Sequence, residues 1–459
     1  MIGIVVSRAD EASVHIGERL LELADWTERE DESRADAEGG GAVYRHEAPG
    51  GGNESGGKGH TFELREFEDL HLHLDGVAGA FPDPELLAFV SRHAGETGPL
   101  LSAHFTGNVG PGEYGGADGD LARAAPNAGD RVLSRLREHA PEGYDVAMEC
   151  THHGPSEVGA PSLFVEVGSA KPQWRDAEAA EAVARAVLDL SGASPDSDRT
   201  VVGFGGGHYA PRFERIARET DWAVGHVAAD WGLEALAGSD IAAERVIEQV
   251  FAESGATRAV LDGDWPEVAA TIADLGYDAV SETWLRETSG VGLALAGRLE
   301  DALSPVEDGL RFGERARQGT TGTDIHPEVH SLPADLLSDL QGIDAERTRE
   351  AVAAHALAYE TEAGGTRIAG SIAVPNSEAY DGLLDAVCEI LADRYEHAER
   401  ADDELHVTER AFHPAKARER GVPEGPAFGR LADGQPVEVD GETVDPEDVH
   451  ETRRRTYHL

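Results

Sequence analysis

The chain is poor in the residues that cross-link a protein or make it cationic. Its 459 residues include two cysteines, Cys150 and Cys388, which excludes a disulfide scaffold and a cysteine-rich zinc site. Lysine occurs only at Lys58, Lys171 and Lys416, so nearly all of the 39 basic residues are arginine. No uncharged apolar run approaches the roughly 20 residues that a membrane helix needs. The opening MIGIVVSRAD has neither the charged region nor the long apolar stretch of a signal peptide. These absences lead us to expect a soluble, cytoplasmic protein with no membrane partner.

What is abundant is carboxylate: 88 acidic residues give a formal net charge of -49. Such a charge strains a compact protein by self-repulsion, unless salt is molar and the Debye length has fallen to roughly 3 Å. A hydrophobic content of 40% with clear periodicity argues against an acidic disordered chain. The composition therefore reads as a globular protein of a very saline, halophilic cytoplasm. Acidity of that origin says little about partners. It does not exclude an RNA bound through shape, stacking and a few arginines rather than counterion release.

The length allows two or three domains. IGIVVSRADEASVHIGERLLEL reads as a buried strand and then an amphipathic helix with Ala12, Ile16, Leu20 and Leu23 on one face. An acidic, Gly-rich insertion without a phosphate-loop pattern occupies 28–60 and is expected to be a solvated loop. Strand-like runs recur at 86–93, 100–105, 145–153, 162–169, 200–208, 222–228 and 257–263. Helical patterns separate several of them, the clearest being WRDAEAAEAVARAVLDL. Apolar strands alternating with helices predict an α/β fold, a three-layer sandwich on a mixed, mainly parallel sheet, with chemistry at the strand ends. The texture changes near 300–325. A catalytic domain over 1–305 and a C-terminal α+β extension over 306–459, helical and then β-rich, are expected.

Histidines gather at the predicted strand ends: His93, His104, His152, His153, His208 and His226. Glu149 and Glu166 interrupt apolar strands, where an unpartnered carboxylate is expensive. Single strand-end histidines commonly satisfy backbone carbonyls. Six of them beside two embedded acids point instead to a site, because neutral imidazole and carboxylate suit zinc and imidazole serves as a base near neutral pH. Successive strand residues face opposite ways, so His152 and His153 reach one site only if the strand has ended at Gly154-Pro155. GFGGGHYAPR, with Gly205, Gly206, Gly207, Tyr209 and Arg212, predicts a strand, a glycine turn and a helix start able to hold an anion or a developing oxyanion. HLHLDG (71–76) has H-x-H-x-D spacing but lacks the further histidine of the metallo-β-lactamase motif, and is expected to be a half-exposed strand with His71 and His73 facing solvent.

In order along roughly 1–300, FVSRHAGETGPLLSAHFTGN, EYGG, MECTHHGP, FVEVGS with Trp174, GGGHYAPRF, a later GH and SETWLRE resemble the archaeal-type D-aminoacyl-tRNA deacylase family. Cys150 departs from the alanine expected before THHGP. The resemblance implies a hydrolase that splits the ester between a D-amino acid and the tRNA 3′ end. It also implies a phosphorylase/peptidyl-tRNA hydrolase-like fold, a zinc requirement of two ions per chain, a monomer, and the tRNA acceptor end as partner. On this basis His93, His104, His208 and Glu166 are candidate metal ligands, with His152 also considered. His152, His153 and Glu149 are candidate catalytic groups, and Gly205, Gly206, Gly207, Tyr209, Arg212 and Lys171 candidate substrate contacts. A metal-free mechanism with His152 or His153 as base is the mechanistic alternative. KARERGVPEGPAFGRLADGQPVEVDGETVDPEDV (416–449) is similar to a segment of metallo-β-lactamase-class tRNA 3′ endonucleases. That class, and a non-enzymatic tRNA-binding protein with a structural zinc, are the competing readings.

Overall fold

Strands that are apolar along their whole length need partners on both edges and cover on both faces. The computed structural model, which describes residues 1–33, 41–48, 60–318, 326–401 and 403–459, shows how they obtain them. The chain forms two compact units, Met1–Arg286 and Glu287–Leu459. The division falls earlier than the 305/306 boundary expected from composition.

In the first unit β1 (Ile2–Ser7), β2 (Thr27–Glu30), β3 (Ala42–Glu47), β4 (Thr61–Phe67), β5 (Leu86–Arg92), β6 (Leu100–His104), β7 (Asp145–Met148) and β8 (Ser162–Gly168) build one sheet in the order β2-β3-β4-β1-β5-β8-β6-β7. The centre, β4-β1-β5-β8, is parallel. The β6–β7 pair is parallel within itself and joins β8 antiparallel. All six residues of β1 and all seven of β8 are buried, as their central places demand. The insertion at 28–60, expected to be a solvated loop, is partly strand: Thr27–Glu30 and Ala42–Glu47 form β2 and β3, which pair antiparallel at the sheet edge, whereas 34–40 and 49–59 lie outside the described residues.

Helices α1 (Glu11–Leu23), α2 (Pro126–His139), α3 (Lys171–Trp174) and α4 (Ala177–Leu188) belong to this layer. Asp10 starts α1 by accepting the N–H groups of Ala12 and Ser13 at 2.9 and 3.2 Å, a side-chain cap of the usual kind. Ala12, Ile16 and Leu20 are buried, as their spacing predicts.

The later strands do not extend that sheet. β9 (Thr200–Gly205), β10 (Ala223–Ala228), β11 (Arg258–Asp262) and β12 (Asp278–Ala279) form a separate, wholly parallel sheet ordered β10-β9-β11-β12. The crossovers carry α5 (Pro211–Glu219), α6 (Asp230–Ala237), α7 (Ala243–Ala252) and α8 (Pro266–Asp274). The two sheets meet through the segment after β7. Glu149 N–H still bonds Ala103 O of β6 at 3.0 Å, whereas Cys150 N–H bonds His208 O at 2.8 Å and Thr151 N–H bonds Val227 O at 2.9 Å. The chain between the sheets is thereby fixed where the histidines lie. The fold is α/β with a mainly parallel central sheet and further sheets.

The second unit is α+β. β13 (Leu310–Phe312), β14 (Glu328–Ser331), β15 (Ala358–Glu362) and β16 (Arg367–Val374) form an antiparallel sheet ordered β13-β15-β16-β14. Leu336 and Leu340 from helix Ala334–His355, and Leu383 and Val387 from helix Ser377–Leu391, share a core with Ile372. β17 (His397–Ala401), β18 (Glu404–Phe412) and β21 (His450–His458) make a three-stranded sheet, with β19 (Val437–Val439) and β20 (Glu442–Val444) as a hairpin between. Among the described residues no helix is long and apolar enough to cross a membrane.

Candidate active site

Glu166 occupies the middle of β8, in register with Ser91 of β5 and Ser102 of β6. Two small neighbours make room for a carboxylate inside a sheet. Ser91 Oγ donates to Glu166 Oε1 at 2.6 Å. The strand ends bring further groups over it: His93 just past β5, His104 closing β6, and Glu149 just past β7. His93 Nδ1 lies 3.3 Å from Glu149 Oε1 and 3.6 Å from Glu166 Oε2. His104 Nε2 stands 3.7 Å from Glu166 Oε1, too far for a hydrogen bond.

The strand has indeed ended at the adjacent histidines. His152 and His153 are next-door rings with centroids 4.2 Å apart, and His104 lies 4.5 and 4.6 Å from them. Gly154, at φ +105, carries no Cβ because one would meet the Phe164 ring at 2.7 Å. That ring stacks on His104 at 4.9 Å. His208 arrives from the turn after β9, and its Nε2 donates to Glu149 Oε2 at 2.8 Å. All five histidines thus converge with both acids. Asp10, His71, Ser91, Arg92, Tyr114 and Phe164 join most of them in lining a cavity of about 500 Å³.

The hydrogen bonds fix the ring states. His104 Nδ1 donates to Phe105 O at 2.9 Å and His152 Nδ1 to Cys150 O at 2.8 Å. Each ring, when neutral, therefore carries its lone pair on Nε2, the arrangement by which backbone carbonyls orient metal-binding imidazoles. His104 Nε2, His153 Nδ1, Glu149 Oε1 and Glu166 Oε2 are buried without a hydrogen-bond partner. Groups of this kind are costly unless something fills them.

Burial acts on every group here, and the neighbours decide the outcome. Burial lowers the pKa of His93, but the carboxylates of Glu166 and Glu149 more than offset it and leave the pKa above its ordinary value; His104 behaves likewise. Burial would raise Glu166, yet the imidazoles of His104 and His93 hold it well below the carboxylate range. Glu149 is lowered against its own burial, chiefly by its bond from His208. His152 and His153 go the other way. Burial and neighbouring imidazoles push His152 well below its ordinary value and His153 down to about 4. Burial pushes the Cys150 thiol up to about 12, so it stays protonated near neutral pH.

Three groups each place three potential ligand atoms within 4.8 Å of one another: His104–His152–His153 and Cys150–His152–His208, which share His152, and the separate His93–Glu149–Glu166. The expected ligands His93, His104, His208 and Glu166 are thus divided among three groups. The histidines expected to be catalytic stand among potential ligands. Such clusters can hold a metal ion.

The expected substrate contacts fare differently. Tyr209 OH lies 3.1 Å from His93 Nε2 and orients that ring. Gly205 and Gly206, at φ +98 and +80, press against Asp262, and Gly206 N–H is already donated to Asp230 at 2.9 Å. That N–H is not free to serve an oxyanion. Gly207 is exposed, as is Lys171 at the start of α3. Arg212 is occupied by Leu261 O, Asp262 and Glu282. His226 is fully buried, with Nδ1 on Thr151 Oγ1 and Nε2 on Ala122 O, each at 2.8 Å; it is a packing residue.

HLHLDG corrects an expectation. His71–His73 is a short 3-10 helix, and His71 is buried between the Phe89 and Phe164 rings with Nε2 3.3 Å from Ser13 Oγ. Only His73 faces solvent. The preceding strand β4 ends at Phe67, so alternation does not reach these residues. Neither histidine, nor Asp75, belongs to a potential ligand group among the described residues. Ser91 was overlooked in the sequence, although the spacing Ser91–His93 puts both on one face of a strand.

A family model described as D-aminoacyl-tRNA deacylase matches residues 80–278. A curated D-aminoacyl-tRNA deacylase of Natronomonas pharaonis is 53% identical over 457 residues, covering 100% of both chains. One of Haloarcula marismortui is 50% identical over 468 residues, again covering 100% of each. A crystal structure of a conserved protein of unknown function matches 63% of this chain and 98% of its own, with a TM-score of 0.53 and 27% identity. Identity of this order over the whole length leaves no room for the endonuclease reading: the chain belongs to the D-aminoacyl-tRNA deacylase family, whose members are hydrolases of an aminoacyl-tRNA ester bond.

Proposed function

We propose that this chain hydrolyses the ester of D-aminoacyl-tRNA, releasing free D-amino acid and tRNA, and that it does so with zinc in the cavity. The observation that carries this reading is the convergence of four buried, unpartnered polar atoms, His104 Nε2, His153 Nδ1, Glu149 Oε1 and Glu166 Oε2. Imidazole nitrogen and carboxylate oxygen are the donor types zinc takes, so the residues fit the ion. His104, His152 and His153 would hold one zinc and His93, Glu149 and Glu166 the second that the family resemblance implies. When bound, zinc supplies Lewis acidity that polarises an ester carbonyl and acidifies water.

The chain's own groups do the rest. The carbonyls of Phe105 and Cys150 hold the His104 and His152 rings in their tautomers, and Tyr209 orients the His93 ring. His208 is less enclosed than the others and bonded through Nε2 to Glu149, and we assign it the role of handing a proton to the leaving ribose oxygen. A metal-free route with His152 or His153 as base is disfavoured by their depressed basicity, since a base near pKa 4 removes protons weakly at neutral pH.

On this reading the first unit, Met1–Arg286, is a three-layer, phosphorylase/peptidyl-tRNA hydrolase-like catalytic domain. The second unit, Glu287–Leu459, is an appended module, and the protein works as a monomer in a halophilic cytoplasm. The test is deacylation of matched D- and L-aminoacyl-tRNA in molar KCl, before and after chelation and with zinc restored. Release from the D-ester that chelation abolishes and zinc restores is expected. No release from the D-ester under any condition overturns the function; release that survives verified metal removal overturns the zinc.

A further inference from the structure

In a chain with 88 acidic residues, a guanidinium beside a cavity without a carboxylate partner is an exception. Most arginines of the first unit are paired, as Arg8 is with Glu66 and Glu68, Arg175 with Glu11, and Arg212 with Asp262 and Glu282. Arg92 is not, among the described residues. It ends β5 next to His93, lines the cavity, and rests its guanidinium over the Trp174 ring at 5.3 Å. The support is built in. Trp174 Nε1 donates to His93 O at 2.9 Å, and Arg92 N–H to Asp10 Oδ2 at 3.0 Å. A planar guanidinium held on an aromatic face, its N–H edge left over, suits a phosphate oxygen pair.

The same cavity has an exposed aromatic at its rim. Tyr114 is 63% exposed. Its loop is nonetheless tied down: Asn108 Nδ2 donates to Gly115 O at 2.7 Å and Ala117 N–H to Ser156 Oγ at 2.9 Å. Gly115 and Gly116 run so close to Leu72 O and Gly154 O that a Cβ would lie 2.0 and 2.5 Å from them. A fixed loop that presents an uncovered ring is a stacking platform, and base–aromatic stacking tolerates any base.

We propose that Arg92 and Tyr114 form the subsite for the 3′-terminal nucleotide of the aminoacylated RNA, Arg92 binding its 5′-phosphate group and Tyr114 stacking on its base. The proposal rests on the deacylase reading, which puts the ester among the buried acids and histidines and leaves the nucleotide to exit at the rim. It replaces Arg212, which is already neutralised, with an arginine that is not.

The test compares two small esters in molar KCl, a D-aminoacyl adenosine and the same compound with a 5′-phosphate, alongside intact D-aminoacyl-tRNA. Arg92→Gln is expected to raise KM for the phosphorylated ester about tenfold while leaving kcat, and both constants for the unphosphorylated ester, within about twofold. Tyr114→Ala is expected to raise KM for both esters by about tenfold, and Tyr114→Phe to behave as wild type. Equal losses of kcat on both esters for Arg92→Gln mean that Arg92 only supports His93, and overturn the proposal. So do variants indistinguishable from wild type, or a Tyr114→Phe variant as impaired as Tyr114→Ala. Wild-type protein inactive on D-aminoacyl-tRNA is a separate failure, that of the deacylase reading. Unchanged thermal midpoints exclude misfolding as the cause.

Discussion

The first unit has two large hollows, and the smaller one holds the candidate site. The larger is a cleft of about 940 Å³ lined by His60, Glu85, Arg123, Glu157 and Asp196 among others. Its basic side chains are already answered: Arg123 bonds both oxygens of Asp196, and His60 lies between Gly192 N–H and Glu85. None of its lining residues has a buried, unpartnered side-chain polar atom among the described residues. The cavity of about 500 Å³ has them on His153 and Glu166 at its wall, and on His104 and Glu149 beside it. Volume therefore does not mark the site. Unmet hydrogen-bonding capacity in a place water cannot easily serve does.

Two changes would break that contrast most visibly. Removing metal with a chelator should abolish deacylation and lower the thermal midpoint. Binding only to the folded chain contributes about 4 kcal/mol at a free ion concentration a thousand times Kd, and restored zinc should return both. A midpoint indifferent to chelation would make the unpartnered atoms a structural cost with no ligand behind it. Next, Glu166→Ala should cut kcat/KM by about 100-fold or more and reduce bound zinc measured by mass spectrometry. Glu157→Gln in the cleft should leave both within about twofold.

Much of this layout was legible in the residues. Unbroken apolar runs marked β5 to β11 near their observed places, because full burial imposes composition directly; the two-residue, exposed β12 carried no such run. The strand-end histidines and the embedded acids stood out for the same reason. Sheet membership did not show. Nothing in TVVGFGGGH or TRAVLDG says that these strands pair with each other rather than continue the first sheet, since register is a tertiary choice. His71 was misjudged because apolar/polar alternation over a few residues fits a strand and a 3-10 turn alike. Arg212 drew attention as a cation near a glycine turn, yet its neutralisation by Asp262 and Glu282 depends on residues 50 and 70 positions away.

His226 and His153 sharpen the contrast at closer range. Both are enclosed, and burial pushes both down to about 4. His226 nonetheless has both ring nitrogens satisfied, whereas His153 Nδ1 has no partner. A histidine whose folded pKa lies below its unfolded value of about 6.5 binds more protons unfolded than folded in that interval. Its contribution is therefore present above pH 6.5 and is lost as pH falls toward 4, by about 2 kcal/mol at pH 5. Denaturant titrations in molar KCl should show stability falling from pH 7 to pH 5, with a shallower fall in His226→Gln. With zinc bound, His153 should add nothing to that slope, because its lone pair is engaged. An equal slope in His226→Gln would remove the assignment of this titration to His226.

The smallest effect expected is the most useful control on the cleft. Arg123 and Asp196 are 53% and 55% exposed in their side chains. An exposed pair of this kind is worth at most about 1 kcal/mol, less in molar salt that screens beyond roughly 3 Å. Arg123→Gln should thus leave the denaturant midpoint nearly unchanged and kcat/KM on D-aminoacyl-tRNA within about twofold. A rise in KM on the full tRNA that is absent with the aminoacyl adenosine esters would mean that the cleft carries the RNA beyond its last nucleotide. The two hollows would then be successive parts of one binding track, and the division drawn between them would hold for the chemistry alone.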